Sequence, residues 1–169
     1  SSGNDIIDGG SGSDTMSGGS GNDIYYVNSG GDNVVETSSG GTDDRIFSST
    51  SYSLSGRYVE TLTLTGASAI NATGNDLAQT LNGNSGANLL TGLDGNDILN
   101  GNDGADILDG GIGDDLLNGG AGLDTVSYAA AAGAITLSLA VTGAQATGGA
   151  GNDTLTGIEN ITGSAFADQ

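Results

Sequence analysis

Cysteine, histidine, proline and tryptophan are all absent from this chain. Without cysteine and histidine there are no disulfides, no zinc sites of the usual kinds and no histidine-based catalysis. A Ser–His–Asp set cannot be assembled, so an enzyme active site is not expected within these residues. Cations are almost missing too: Arg45 and Arg57 stand against 21 acidic residues, a net charge of −19. Nucleic acid and anionic membranes are recognised through basic patches, so neither is an expected partner. No apolar run approaches the ~18 residues of a membrane span, and no basic-then-apolar segment marks a signal peptide, so membrane insertion is not expected. With aromatics at only 4%, a broad mixed core is out of reach, and any core must be narrow and built from single aliphatic residues.

What is present is glycine, at 33 of 169 positions, and aspartate; glutamate occurs only at 36, 60 and 159. Four consecutive blocks, GLDGNDILN, GNDGADILD, GGIGDDLLN and GGAGLDTVS, run from Gly92 to Ser127 on one nine-residue formula. Asp97, Asp106, Asp115 and Asp124 recur at nine, as do Leu99, Leu108, Leu117 and Val126. A fixed short period is the mark of a coil of stacked units.

The organisation reads as five segments. A first array covers 1–44, with Asp5, Asp14, Asp23 and Asp32 nine apart, and Ile7, Met16, Tyr25 and Val34 two residues behind each. Two extra residues interrupt the count before Asp43. Residues 45–73 form a β-strand connecting segment, with alternation in Tyr58 to Thr65. A second array spans 74–127. Its first two blocks carry Gln79 and Asn88 in place of Asp but keep Leu81 and Leu90, which reads as the same coil with weak or absent metal sites. Residues 128–147 are an irregular, alanine-rich insertion with a possible strand at 134–141. Residues 148–169 hold one more repeat, GGAGNDTLT, and the start of a further unit, in which Ile158-Glu159-Asn160-Ile161-Thr162 echoes Val59-Glu60-Thr61-Leu62-Thr63. The chain begins and stops inside repeats and is read as a piece of something longer.

Six residues of each block are turn formers and three are strand formers. Three residues at ~3.3 Å make a strand of about 10 Å, whose middle aliphatic points inward while its neighbours point out. Two blocks then close one coil, and stacking at ~4.8 Å places each turn over the turn two blocks later. Aspartates from successive coils come close together and repel unless a cation lies between them. Calcium suits this arrangement, because it accepts 6–8 oxygens from carboxylates and carbonyls in adaptable geometry, whereas magnesium demands stricter octahedra. One buried aliphatic per nine ordered residues gives little against the entropy of ordering them. The metal-free chain is therefore expected to be largely disordered and to fold on calcium.

These blocks resemble the RTX (repeats-in-toxin, haemolysin-type) calcium-binding repeat, whose GGxGxDxUx formula is met in full by Gly18 to Tyr26 and by Gly148 to Thr156. The resemblance implies an all-β fold, a parallel β-roll (RTX solenoid) in two arrays joined by a more irregular β segment. It also implies several Ca2+ ions stacked between turns, export by type I secretion machinery, and folding outside the cell. In that family each ion lies between the second, fourth and sixth positions of one turn and the first, third and sixth of the turn two repeats on. Carried over, Leu93, Gly95 and Asp97 would face Gly110, Ile112 and Asp115, and Asn102, Gly104 and Asp106 would face Gly119, Ala121 and Asp124. Gly101, Asp103, Gly111 and Gly113 are counted with these ligands. In the first array Gly3 and Asp5 would face Gly18, Ser20 and Asp23, and Gly10, Gly12 and Asp14 would face Val27, Ser29 and Asp32. Gly19, Gly21 and Asp23 would meet the Gly40 to Asp43 region, and Gly120, Gly122 and Asp124 would need the insertion to loop out so that Asp153 closes their site.

A Gly/Asn/Asp-rich acidic tract is by default a solvated linker, but the unbroken aliphatic position argues against that here. Tyr25 occupies the aliphatic slot and reads as core rather than as a sugar platform. Thr61, Thr63 and Thr65 read as the solvent face of a strand, and Arg57 and Glu60 as a surface pair of little value. The leading expectation is a non-catalytic calcium-binding module of a secreted, cell-surface or extracellular protein, such as an adhesin or surface-layer protein. Any glycan or cell-surface ligand would be met through the parent. The alternative is the folding and export domain of a secreted hydrolase whose catalytic part lies outside these residues.

Overall fold

The computed structural model describes residues 2–169. The chain winds as a parallel β-solenoid of about seven turns, with no helix among the described residues. Seventeen short strands lie among the described residues: β1 Ile6–Asp8, β2 Thr15–Met16, β3 Ile24–Val27, β4 Asn33–Val34, β5 Arg45–Ser48, β6 Tyr52–Ser53, β7 Thr61–Leu64, β8 Ala72–Thr73 and β9 Thr80–Asn82. They continue as β10 Leu89–Asp94, β11 Ile98–Gly104, β12 Ile107–Ile112, β13 Leu116–Gly122, β14 Thr125–Ser127, β15 Gln145–Ala146, β16 Asn152–Thr156 and β17 Asn160–Thr162. Odd-numbered strands from β1 to β13, then β16 and β15, form one nine-stranded sheet; β17, β14, β12, β10, β8 and β6 form the opposite sheet, and β2 pairs with β4.

Register explains the nine-residue rule. Leu81, Leu99, Leu117 and Leu155 are paired successively in one sheet, and Ala72, Leu90, Leu108, Val126 and Ile161 in the other. Leu81, Leu90, Leu99, Leu108, Leu117 and Val126 are fully buried, one per strand, so the core is two facing columns of single aliphatic side chains. A column of this kind needs an invariant spacing, because a one-residue slip turns every side chain outward.

The 45–73 segment adds β5 and β7 to the nine-stranded sheet and β6 and β8 to the opposite one. Tyr25 pairs with Ile46, Ile46 with Leu62, and Leu62 with Leu81, so the column crosses it without a gap. Between Val34 and β6 the second sheet is interrupted, and side chains bridge it. The Tyr52 hydroxyl accepts the Val34 N–H at 3.2 Å and donates to the Asp32 carbonyl at 3.1 Å. Arg57 stacks over the Tyr52 ring and donates to the Val34 carbonyl at 3.0 Å. Arg57 therefore stitches backbone rather than pairing with Glu60.

The expected strand at 134–141 does not form: it lies outside the coil frame with no coil edge to pair with. Ile135 and Leu137 instead exchange backbone hydrogen bonds with Gln169. The insertion contributes β15, which pairs antiparallel with β16 and covers the end of the nine-stranded sheet. Closing an exposed sheet edge in this way removes a template for aggregation.

Candidate metal ridges

The acidic residue of each block sits two positions before the inward-pointing aliphatic, in the turn that leads into the strand. Stacking therefore collects these residues into two ridges, one along each edge of the roll. Along the first, the Asp5 N–H donates to Asp23 Oδ1 (2.7 Å), Asp23 to Asp44 (2.6 Å), Asp44 to Glu60 Oε2 (2.7 Å), Gln79 to Asp97 (2.8 Å), Asp97 to Asp115 (2.9 Å) and Asp115 to Asp153 (3.0 Å). Along the second, Asp14 donates to Asp32 (3.1 Å), Asn88 to Asp106 (2.8 Å), Asp106 to Asp124 (2.8 Å) and Asp124 to Glu159 Oε2 (2.8 Å).

This ladder uses one oxygen of each carboxylate that accepts in it. The other oxygen, Oδ2, is buried without a hydrogen-bond partner in Asp23, Asp44, Asp97, Asp106, Asp115 and Asp124, as is Oδ2 of Asp14 at the start of the second ridge. A buried unpaired carboxylate oxygen is costly, and seven in register point to a missing positive charge. Each such oxygen in the repeats folds back over the leading glycine of its own block. A Cβ on Gly92, Gly101, Gly110 or Gly119 would strike Asp97, Asp106, Asp115 or Asp124 respectively.

Carbonyl oxygens converge on the same space. The carbonyls of Leu93 and Gly95 point at the turn below so closely that a Cβ on Gly111 or Gly113 would collide with them, and those of Asn102 and Gly104 do the same to Gly120 and Gly122. In the first array the Gly3 carbonyl faces Gly21 in the same manner. Leu93 (φ 84°) and Asn102 (φ 74°) hold a left-handed backbone although neither is glycine. Such strain, of order 1–3 kcal/mol each, is kept where a turn must present its carbonyls in one direction. Carboxylate and carbonyl oxygens with no competing cationic side chain are the donor set of calcium.

Electrostatics agree. Burial pushes Asp97 and Asp106 up to about 6 and Asp115 up to about 7, the last helped by its neighbours Asp153, Asp97 and Asp109. Burial likewise lifts Asp44 to about 6, with Glu36, Glu60 and Asp23 adding to it. Without a cation these ridges resist ionisation.

The structure corrects four details of the sequence reading. Asp44, not Asp43, enters the ridge, because Asp44 stands two before the inward Ile46; Asp43 faces solvent and binds Arg45 at 2.7 Å. Asp153 stacks on Asp115 rather than on Asp124, since the insertion is looped out between β14 and β15 and β16 pairs with β13; Glu159 follows Asp124 instead. The second oxygen of Asp153 is taken by the Tyr128 hydroxyl (2.8 Å) and the Thr147 hydroxyl (3.1 Å). In the Val27 to Asp32 turn, Asp32 Oδ2 accepts the N–H groups of Asn28 and Ser29, both at 3.1 Å. Burial opposes ionisation of Asp32, but these bonds and the one from Asp14 outweigh it and hold its pKa below the ordinary value. That carboxylate is satisfied by its own turn, which leaves Val27 and Ser29 without the partner assigned to them.

The two blocks with an amide at the ridge position show how a coil closes on side-chain hydrogen bonds. Gln79 accepts the Asn75 N–H and donates to Asn75 Oδ1 at 2.6 Å, and Asn88 treats Asn84 likewise, with 3.1 Å for the second bond. The amide nitrogens of Asn75 and Asn84 then donate to carbonyls of the coil before: Leu54 and Arg57, Thr65 and Ser68. Side-chain amides thus supply the positive ends that the acidic turns lack.

Sequence reasoning missed Glu36, Asp44, Glu60 and Glu159. The available signal was the position two before the aliphatic that pairs along the column, which Asp44, Glu60 and Glu159 all occupy before Ile46, Leu62 and Ile161.

Comparison with known families agrees with this geometry. The model of the RTX calcium-binding nonapeptide repeat matches four copies, at residues 1–34, 73–108, 91–126 and 145–169, more than half of the chain. The chain belongs to this family of calcium-binding repeats. No curated protein and no solved structure matches it.

Proposed function

We propose that this chain is a non-catalytic module of an extracellular protein that leaves the cell unfolded through type I machinery and folds on meeting calcium. It then serves as a stiff structural or adhesive extension. The observation carrying this reading is the row of buried Oδ2 atoms without partners, with inward-turned carbonyls crowding the turns of Asp97, Asp106, Asp115 and Asp124. A bound calcium ion supplies the positive charge that both groups lack.

Ions stack between Leu93, Gly95 and Asp97 on one turn and Gly110, Ile112 and Asp115 on the next. They stack likewise between Asn102, Gly104, Asp106 and Gly119, Ala121, Asp124, and between Gly3, Asp5 and Gly18, Ser20, Asp23. Gly101, Gly111, Gly113, Gly120 and Gly122 are the close-approach positions that let the turns come together. Asp103 is exposed and belongs to the solvated face. Coils 74–91 take no ion, since their amides close them.

Circular dichroism in EDTA and then in millimolar calcium tests the reading, with calorimetry to count the ions. A β-rich spectrum in EDTA that calcium leaves unchanged refutes it.

A further inference from the structure

The two arrays meet at a cluster that the nine-residue formula does not describe. Asp23 closes the last full repeat of the first array, Asp44 leads into the strand stacked directly on it one coil on, and Glu36 lies between them, in the stretch that breaks the count. Glu36 and Asp44 both fall outside the residues matched by the repeat family. All three side chains are buried, and one carboxylate oxygen from each lies within 4.8 Å of the others. The Oδ2 atoms of Asp23 and Asp44 have no hydrogen-bond partner although both residues are fully buried. Carbonyls complete the enclosure: that of Gly19 lies 3.2 Å from where a Cβ on Gly40 would stand, and that of Gly21 crowds the same point on Gly41. The Glu36 Oε2 atom crowds Gly40 from the other side.

We propose that Asp23, Glu36 and Asp44, with the carbonyls of Gly19 and Gly21, form a three-carboxylate calcium site that binds more tightly than the repeat sites. The proposal rests on the calcium-binding reading above and adds to it a ligand from outside the repeat. A repeat site draws two carboxylates from two stacked turns. Here a third carboxylate joins them and brings one more negative charge. Affinity in oxygen-ligand sites rises with carboxylate count and rigidity.

Rigidity comes from Tyr25. Its ring fills the inward slot of β3 with no exposure, its hydroxyl accepts the Gly18 N–H at 2.7 Å, and it donates to Glu36 Oε1. That bond leaves Oε2 for an ion and fixes the glutamate in place. The order of events follows from the charge: this site loads first and seeds the first array against the coils from Arg45 onward, which share its sheet.

Terbium tests the proposal, since it occupies oxygen-ligand calcium sites and emits when excited through a nearby tyrosine. Titrated into the whole chain, it should show an early phase of tyrosine-excited emission that Tyr25→Phe removes. Glu36→Gln keeps an acceptor for Tyr25, and Asp44→Asn keeps the ladder bond. Each should move this phase to on the order of tenfold higher terbium, while Asp43→Asn leaves it in place. Circular dichroism in saturating calcium checks that each variant folds. Should Glu36→Gln not fold, Glu36→Asp replaces it; its carboxylate is drawn back beyond the 2.3–2.6 Å of a ligand bond, so the phase should weaken too. A titration of either variant superimposable on that of the wild type overturns the proposal, as does an early phase that survives Tyr25→Phe. A wild-type chain that takes up neither calcium nor terbium refutes instead the broader reading of a calcium module.

Discussion

Asp115→Asn should change stability in opposite directions with and without calcium. Asp115 is only 3% exposed, its Oδ1 accepts the Asp97 N–H, and its Oδ2 has no partner. Asparagine keeps the first bond through its own Oδ1, so the ladder survives and only the charge is lost. With calcium, an ion between the Leu93 and Gly110 turns loses one of its two carboxylates. A tenfold loss of affinity costs about 1.4 kcal/mol at saturation, and about 3 kcal/mol if a second ion on the far side of Asp115 is affected equally. For a chain of this size these losses lower Tm by about 3–6 °C and about 6–12 °C respectively. Without calcium the sign reverses. Burial holds the carboxyl near 7, so ionising it at pH 8 opposes folding. At about 1.4 kcal/mol per pKa unit, reduced for screening at the open side of the turn, removing the charge gains about 2 kcal/mol. The assay is thermal melting by circular dichroism in 10 mM calcium, paired with folding driven by an osmolyte in EDTA. Destabilisation of similar size in both conditions would refute the reasoning, because it would make Asp115 a packing residue rather than a ligand.

Leu93→Gly should raise stability in calcium by about 1 kcal/mol, since it relieves a left-handed backbone at a half-exposed leucine; an unchanged or lower Tm contradicts this. Leu99→Ala should cost about 2–5 kcal/mol at every calcium concentration at which the chain folds, because it empties one step of the aliphatic column; a loss seen only at low calcium would contradict it. Mild acid should partly replace calcium. Asp44, Asp97, Asp106 and Asp115 have folded pKa values raised to about 6–7, so their protonation favours the metal-free fold. That stability is fully present near pH 4 and is lost as pH rises through 6–7. Far-ultraviolet dichroism in EDTA should therefore show more β-structure at pH 4.5 than at pH 8, and equal spectra would oppose this sign.

Much of the architecture is legible from residue spacing alone. Leu81 to Val126 at a period of nine forces alternate strands onto opposite faces, so the two-column core and the parallel sheets follow from strand geometry without any long-range information. Asp97, Asp106, Asp115 and Asp124, each two before its aliphatic, are placed in the turns by the same rule. Gln79 and Asn88 are legible as departures, and their amide chemistry states why those coils close on themselves.

What the sequence could not decide is which turn stacks on which wherever the period is broken. The step along the first ridge is 21 residues from Asp23 to Asp44, 16 from Asp44 to Glu60 and 38 from Asp115 to Asp153. Those steps are set by where the chain next finds an aliphatic residue that can pair with the strand before it, a contact between residues far apart in sequence. Ile46 chooses Asp44 over Asp43, and Leu155 draws Asp153 to Asp115 across the looped-out insertion. Glu36 has no periodic position at all and enters the site only because the coil folds it against Tyr25. The strict period determined a parallel roll of calcium-binding repeats. Its stacking alone decided which acids lie together on a ridge, because a shared site depends on distance in space and not along the chain.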